Sequence, residues 1–125
     1  MTLVIDTSAL MAFIKDEPGG QAVGSQLADA IASPVIFAET LSKLAAQGFD
    51  ADAARADLLV AGLTVEPMRL ADVQAVVSLQ SLANGSISLA DRICLALALD
   101  RGLPVLTADR AWAGLGLPLD VRLIR

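Results

Sequence analysis

A chain of 125 residues suits one domain with one core, and 55 % apolar residues supply ample core material. It has no histidine, no tyrosine and a single cysteine, which excludes Ser-His-Asp catalysis, histidine general bases, HExxH or cysteine-pair zinc sites and internal disulfides. A net charge of −5 excludes a general cationic surface for nucleic acid, so a phosphate-bearing ligand would have to be drawn by something local.

"TLVI" (2–5) is a short apolar β-rich run and reads as a buried strand. "SALMAFIK" (8–15) reads as a short helix, ended by the turn-rich "DEPGG". Residues 20–31 read as helical, and "SPVI" (33–36) as a short strand. In "FAETLSKLAAQG" (37–48), Phe37, Leu41, Leu44 and Ala45 share one helix face, and Gly48 suits the position just past the helix end. "DADAARADLLVAGL" (50–63) reads as a helix with acids in its first turn, and "LTVEP" (63–67) as a strand. "LADVQAVVSLQSLAN" (70–84) reads as a helix ended by Asn84-Gly85. "SLADRICLALALDRG" (88–102) is almost wholly apolar and reads as a central helix, stopped by Gly102 and Pro104. "PVLTAD" (104–109) is a second buried strand ending in an acid, and "VRLIR" (121–125) a closing strand.

Strands that are continuous apolar runs, alternating with helices, indicate an α/β fold: a parallel sheet covered on both faces. Such sheets bind ligands outside the carboxyl ends of their strands. Asp6 and Asp109 both sit at such ends, and each is equally a good helix N-cap. Ser88-x-x-Asp91 matches a capping box, and the helix N-terminus should keep Asp91 ionised. Glu39 and Lys43 form an i, i+4 pair, which alone reads as a solvated surface feature. Thr107 offers a hydroxyl at a strand end. Cys94 and Trp112 read as core. Arg92 and Arg110 each adjoin an acid and could touch phosphate, although solvated arginines are the plainer reading. No apolar run nears the roughly 18 residues of a membrane span, and "MTLVID" lacks the basic start of a secretory signal. The expectation is a soluble, cytoplasmic protein without membrane contact. Its mean hydropathy of +0.64 predicts exposed apolar surface, hence a partner or a homodimer.

"VIDTSAL", "VIFAETLSKL" and "GSISLADRICLALALDRGLPVLTADRAW" together resemble the PIN-domain ribonucleases, above all the VapC-type toxins of bacterial toxin–antitoxin pairs. The resemblance runs in order over nearly the whole chain, and residues 86–112 are its most specific part. It implies one PIN domain over residues 1–125, with about five parallel strands. It also implies a metal site at the sheet's carboxyl edge, where Asp6, Glu39, Asp91 and Asp109 hold Mg²⁺ or Mn²⁺ and cleave RNA. A cognate antitoxin protein would silence the enzyme, and a homodimer is expected. The chemistry needs no histidine, because such a cation prefers oxygen ligands and can activate water against a phosphodiester.

Other classes share part of this outline. A receiver-like phosphoacceptor domain pairs acids after its first strand and carries a lysine after a late one, whereas "VIDTSAL" has one acid and "PVLTADRAW" no lysine. A haloacid-type phosphatase would place Asp-x-Asp where this chain has Asp-Thr-Ser. A non-catalytic interaction module would use the same acids only as helix caps.

Overall fold

The computed structural model describes residues 2–125. Five strands, β1 (Leu3–Ile5), β2 (Ala30–Ala32), β3 (Thr64–Val65), β4 (Val105–Thr107) and β5 (Val121–Leu123), form one sheet in the order β3-β2-β1-β4-β5. Every pairing is parallel, with Leu3 opposite Ala30, Val4 opposite Val105 and Val105 opposite Val121. Successive strand residues face opposite sides of a sheet. All three residues of β1 are buried, so both faces are covered there. The cover comes from six helices, α1 (Thr7–Ile14), α2 (Gly20–Gly24), α3 (Pro34–Ala46), α4 (Ala51–Val60), α5 (Val73–Ser78) and α6 (Leu89–Arg101). The expected α/β architecture is the observed one. Its strand order departs from the 2-1-3-4-5 order of receiver-like domains.

The chain winds from β1 outward through β2 to β3, then returns to the other side of β1 to add β4 and β5. The order therefore reverses between β1 and β4, and a crevice opens at the carboxyl ends of those two strands.

The helices arise where sequence and packing agree. Helix α6 buries Ile93, Cys94, Leu95, Ala96 and Ala98, as its apolar run requires. Gly102 ends it at φ +61°, and Gly48 follows α3 at φ +87°. Among the described residues, no helix is long and apolar enough to cross a membrane.

Three segments differ from the sequence reading. Residues 20–31 are helical only over α2 and a 3₁₀ turn at Leu27–Asp29, and Ala30 and Ile31 already belong to β2. The second strand lies at 30–32, not 33–36. Ser33 accepts the Val35 and Ile36 N–H groups at 3.0 and 3.3 Å, and Pro34 occupies the first helical position, so "SPVI" starts α3. The strand itself, "AIA", is hidden among small residues that also favour helix. Residues 70–84 do not form one helix. A 3₁₀ turn (Leu70–Asp72) leads into the short α5, and Ala83, Asn84 and Gly85 all take positive φ, which a right-handed helix cannot accommodate.

Helix α2 packs closely on α1, the helix that follows Asp6. A Cβ at the buried Gly20 would lie 2.3 Å from the Ala12 carbonyl oxygen. Gly20→Ala should therefore destabilise the fold by roughly 2–3 kcal/mol, read as a lower urea midpoint at unchanged m-value.

Candidate active site

Asp6 leaves β1 at the reversal point and is only 3 % exposed. Its carboxylate accepts the Ala9 N–H at 2.9 Å and so caps α1. Two hydroxyls satisfy it further. Ser8 Oγ lies 2.8 and 2.9 Å from its two oxygens and donates to it, and Thr107 Oγ1 donates to Oδ2 at 2.6 Å. Burial outweighs these bonds and raises the Asp6 pKa from 3.8 to about 6; Thr107, Ala9 and Ser8 oppose the rise, and the Asp91 charge adds to it.

Thr107 is fully buried at the end of β4 and also accepts the Asp109 N–H at 3.0 Å. Ser8 accepts the Ala108 N–H at 2.9 Å. One hydroxyl from each strand end thus reaches across to the other, and the two bonds hold the β1 and β4 termini in fixed register. Asp109 itself is exposed and caps the following 3₁₀ turn by accepting the Ala111 N–H at 3.0 Å. Both strand-end acids are therefore genuine caps, and both still present oxygen to the space between them.

That space is an open cavity of about 220 Å³. Asp6, Glu39, Asp91 and Asp109 all line it, together with Thr7, Ser8, Met11 and Lys43. Ser88 Oγ accepts the Asp91 N–H at 3.2 Å, which is half of the expected capping box, while the Asp91 side chain opens into the cavity. The expected lowering of its pKa is overturned. Partial burial raises it, and the Glu39 and Asp109 charges reinforce the rise against the Ser88 hydroxyl and Lys43.

Glu39 is likewise not the solvated partner of Lys43. Thr7 Oγ1 donates to its Oε1 at 2.6 Å, and no Glu39–Lys43 ion pair forms among the described residues. The contact joins the first residue of α1 to the second turn of α3 and turns Glu39 toward the other acids. Arg92 departs from both sequence readings. It is half-buried and donates from Nη1 to the Val76 carbonyl at 3.2 Å, away from the cavity. Arg110 is exposed. Cys94 and Trp112 are core, and burial pushes the Cys94 thiol pKa well up.

Four acids from four separate stretches thus face one cavity at the sheet's reversal point. The family model "PIN domain" matches residues 3–116. The chain belongs to the PIN domain family.

No curated protein sequence matches it. Several solved structures share its fold. A toxin–antitoxin complex from Klebsiella pneumoniae aligns with a TM-score of 0.78 at 18 % identity, covering 99 % of this chain and 98 % of that one. VapC20 of Mycobacterium tuberculosis, a sarcin–ricin-loop-cleaving toxin, aligns with a TM-score of 0.73 at 19 % identity, covering 93 % and 96 %. VapBC2 from Rickettsia felis, bound to a DNA fragment from its promoter, aligns with a TM-score of 0.72 at 13 % identity, covering 97 % of each chain.

Thr7 and Ser8 were not singled out by the sequence reading. The signal was two hydroxyls directly after the strand-end acid, in the first turn of a helix. Side chains there can reach either the next strand or the next helix, and here each does one of these.

Folding raises the affinity of Asp6 for its proton. The folded state has its full relative stability below about pH 4, where Asp6 is protonated folded or unfolded, and loses it as pH rises through about 6. Asp6→Asn keeps a capping oxygen and removes the buried charge. In EDTA at pH 8 this variant should be more stable than wild type by roughly 1–3 kcal/mol, and the gain should fade as pH falls toward 4, as followed by thermal unfolding.

Proposed function

We propose that this PIN domain, residues 1–125, is a metal-dependent endoribonuclease that acts as the toxin of a type II toxin–antitoxin pair in the cytoplasm. The observation that carries the reading is the convergence of Asp6, Glu39, Asp91 and Asp109 on one cavity, in a chain of this family.

The donor set suits a hard divalent cation. All four side chains offer carboxylate oxygen, and burial first, with the neighbouring acids adding to it, raises the pKa values of Asp6 and Asp91. Among the described residues, no group of three or more acidic or thiol side chains is arranged to hold an ion directly. Mg²⁺ ordinarily takes one or two carboxylates directly and keeps several waters, through which the remaining acids can act. Asp6, Glu39, Asp91 and Asp109 would hold Mg²⁺ or Mn²⁺. Bound there, the cation supplies electrostatic stabilisation of the phosphodiester and a more acidic water. The chain's own part is positional. Ser8 and Thr107 fix the Asp6 carboxylate, Thr7 fixes Glu39, and the α6 N-terminus carries Asp91 to the rim. Such supporting partners commonly decide whether ligands stand in usable geometry.

The partner assignment has its own support. Leu70, Val73 and Val77 recur at three- and four-residue spacing with exposures of 90, 42 and 53 %, an apolar stripe suited to a protein partner. A cognate antitoxin and a second copy of this chain are the proposed partners. The Klebsiella structure was described as a toxin–antitoxin complex, and the Rickettsia VapBC2 structure as bound to a promoter DNA fragment.

RNA cleavage by the purified chain tests the proposal. Cleavage should require Mg²⁺ or Mn²⁺, stop in EDTA, return when the ion is restored, and fall by at least about 100-fold in Asp91→Ala. Cleavage that persists in EDTA, or an Asp91→Ala variant as active as wild type, would contradict it.

A further inference from the structure

An RNA strand entering this cavity meets four carboxylates on a protein of net charge −5. Something other than the cation must help hold its phosphates. The chain has nine lysines and arginines, and most are committed elsewhere. Lys15, Arg69, Arg101, Arg122 and Arg125 pair with carboxylates outside the cavity. Arg92 is tied to the Val76 carbonyl. Arg55 and Arg110 are exposed, and neither lines the cavity. Lys43 does line it.

Lys43 sits one helical turn beyond Glu39 on the same face of α3. At that spacing a glutamate ordinarily engages the lysine. Here the Thr7 hydroxyl engages Glu39 Oε1 at 2.6 Å, and among the described residues no carboxylate lies within 4.0 Å of the Lys43 ammonium. The side chain is exposed, so its ammonium remains hydrated and movable at the rim. A compact charge with three donors on a flexible stem suits the non-bridging oxygens of a phosphate.

We propose that Lys43 binds a backbone phosphate of the RNA strand at the cavity rim, as a substrate-binding residue; the inference rests on the ribonuclease reading above. The contact adds affinity and holds the strand over the acids. It reads no base, since phosphate contacts carry no direct sequence information.

The test uses the full chain and a fluorescent single-stranded RNA oligonucleotide, with Asp91→Asn as the parent so that cleavage does not deplete the probe. Adding Lys43→Gln should weaken RNA binding about five- to ten-fold, for oligonucleotides of any sequence. It should also flatten the dependence of log affinity on log salt by about 0.7. Lys43→Arg should restore most of both. Mn²⁺ affinity without RNA, measured with Asp91 intact, should be unchanged or slightly tighter in Lys43→Gln. Unchanged RNA affinity and salt slope in Lys43→Gln would overturn the proposal. So would an effect confined to Mn²⁺ affinity, which would make Lys43 a counter-ion to the acids, or a parent that binds no RNA. Wild type that cleaves RNA while Lys43→Gln binds normally sinks the lysine's role alone, whereas wild type that cleaves no RNA sinks the ribonuclease reading.

Discussion

A 2.6 Å hydrogen bond from Thr107 to Asp6 joins the ends of two neighbouring parallel strands, and the site is organised around it. A carboxylate that is 3 % exposed is costly unless donors meet it. Thr107, Ser8 and the Ala9 amide meet it, yet its pKa still stands near 6. The remaining penalty is chiefly desolvation by burial, with the Asp91 charge adding a smaller share. That group stands at the carboxyl edge of the sheet, where the strand order reverses.

The hydroxyls do more than satisfy one acid. Each belongs to one segment and bonds another. Ser8 on α1 accepts the Ala108 amide beyond β4, Thr107 on β4 reaches Asp6 beyond β1, and Thr7 on α1 reaches Glu39 on α3. Charged acceptors make such bonds stronger than neutral ones. Three short side chains thereby convert the packing of α1, α3 and the sheet into the orientation of two carboxylates. Asp91 is held differently, by the α6 N-terminus that Ser88 caps. Asp109 is the most solvent-exposed of the four, and only its backbone amide is tied to the buried network.

Much of this was legible before any coordinates. Continuous apolar runs at 2–5 and 104–107 identified β1 and β4, two of the three inner strands, and the acids that follow them marked the edge that carries the site. Glu39 was not legible from spacing, because i, i+4 to Lys43 describes a surface ion pair equally well. Only its partner on α1, 32 residues earlier in the chain, turns it inward, and that contact is tertiary. The strand at 30–32 was missed for a related reason. Alanine carries little β preference, and only pairing with β1 on one side and β3 on the other makes "AIA" extended. The pKa of Asp91 was misjudged because the helix terminus is local, whereas the opposing charges of Glu39 and Asp109 come from distant segments.

The proposed role of the four acids is tested most directly by binding of the cation itself. Calorimetric titration of Mn²⁺ into metal-free wild type at pH 7.5 should give saturable binding, and the Asp6→Asn/Asp109→Asn double variant, folded by circular dichroism, should bind at least about ten-fold more weakly. Equal Mn²⁺ affinity in the two proteins would contradict a cation site built from these carboxylates.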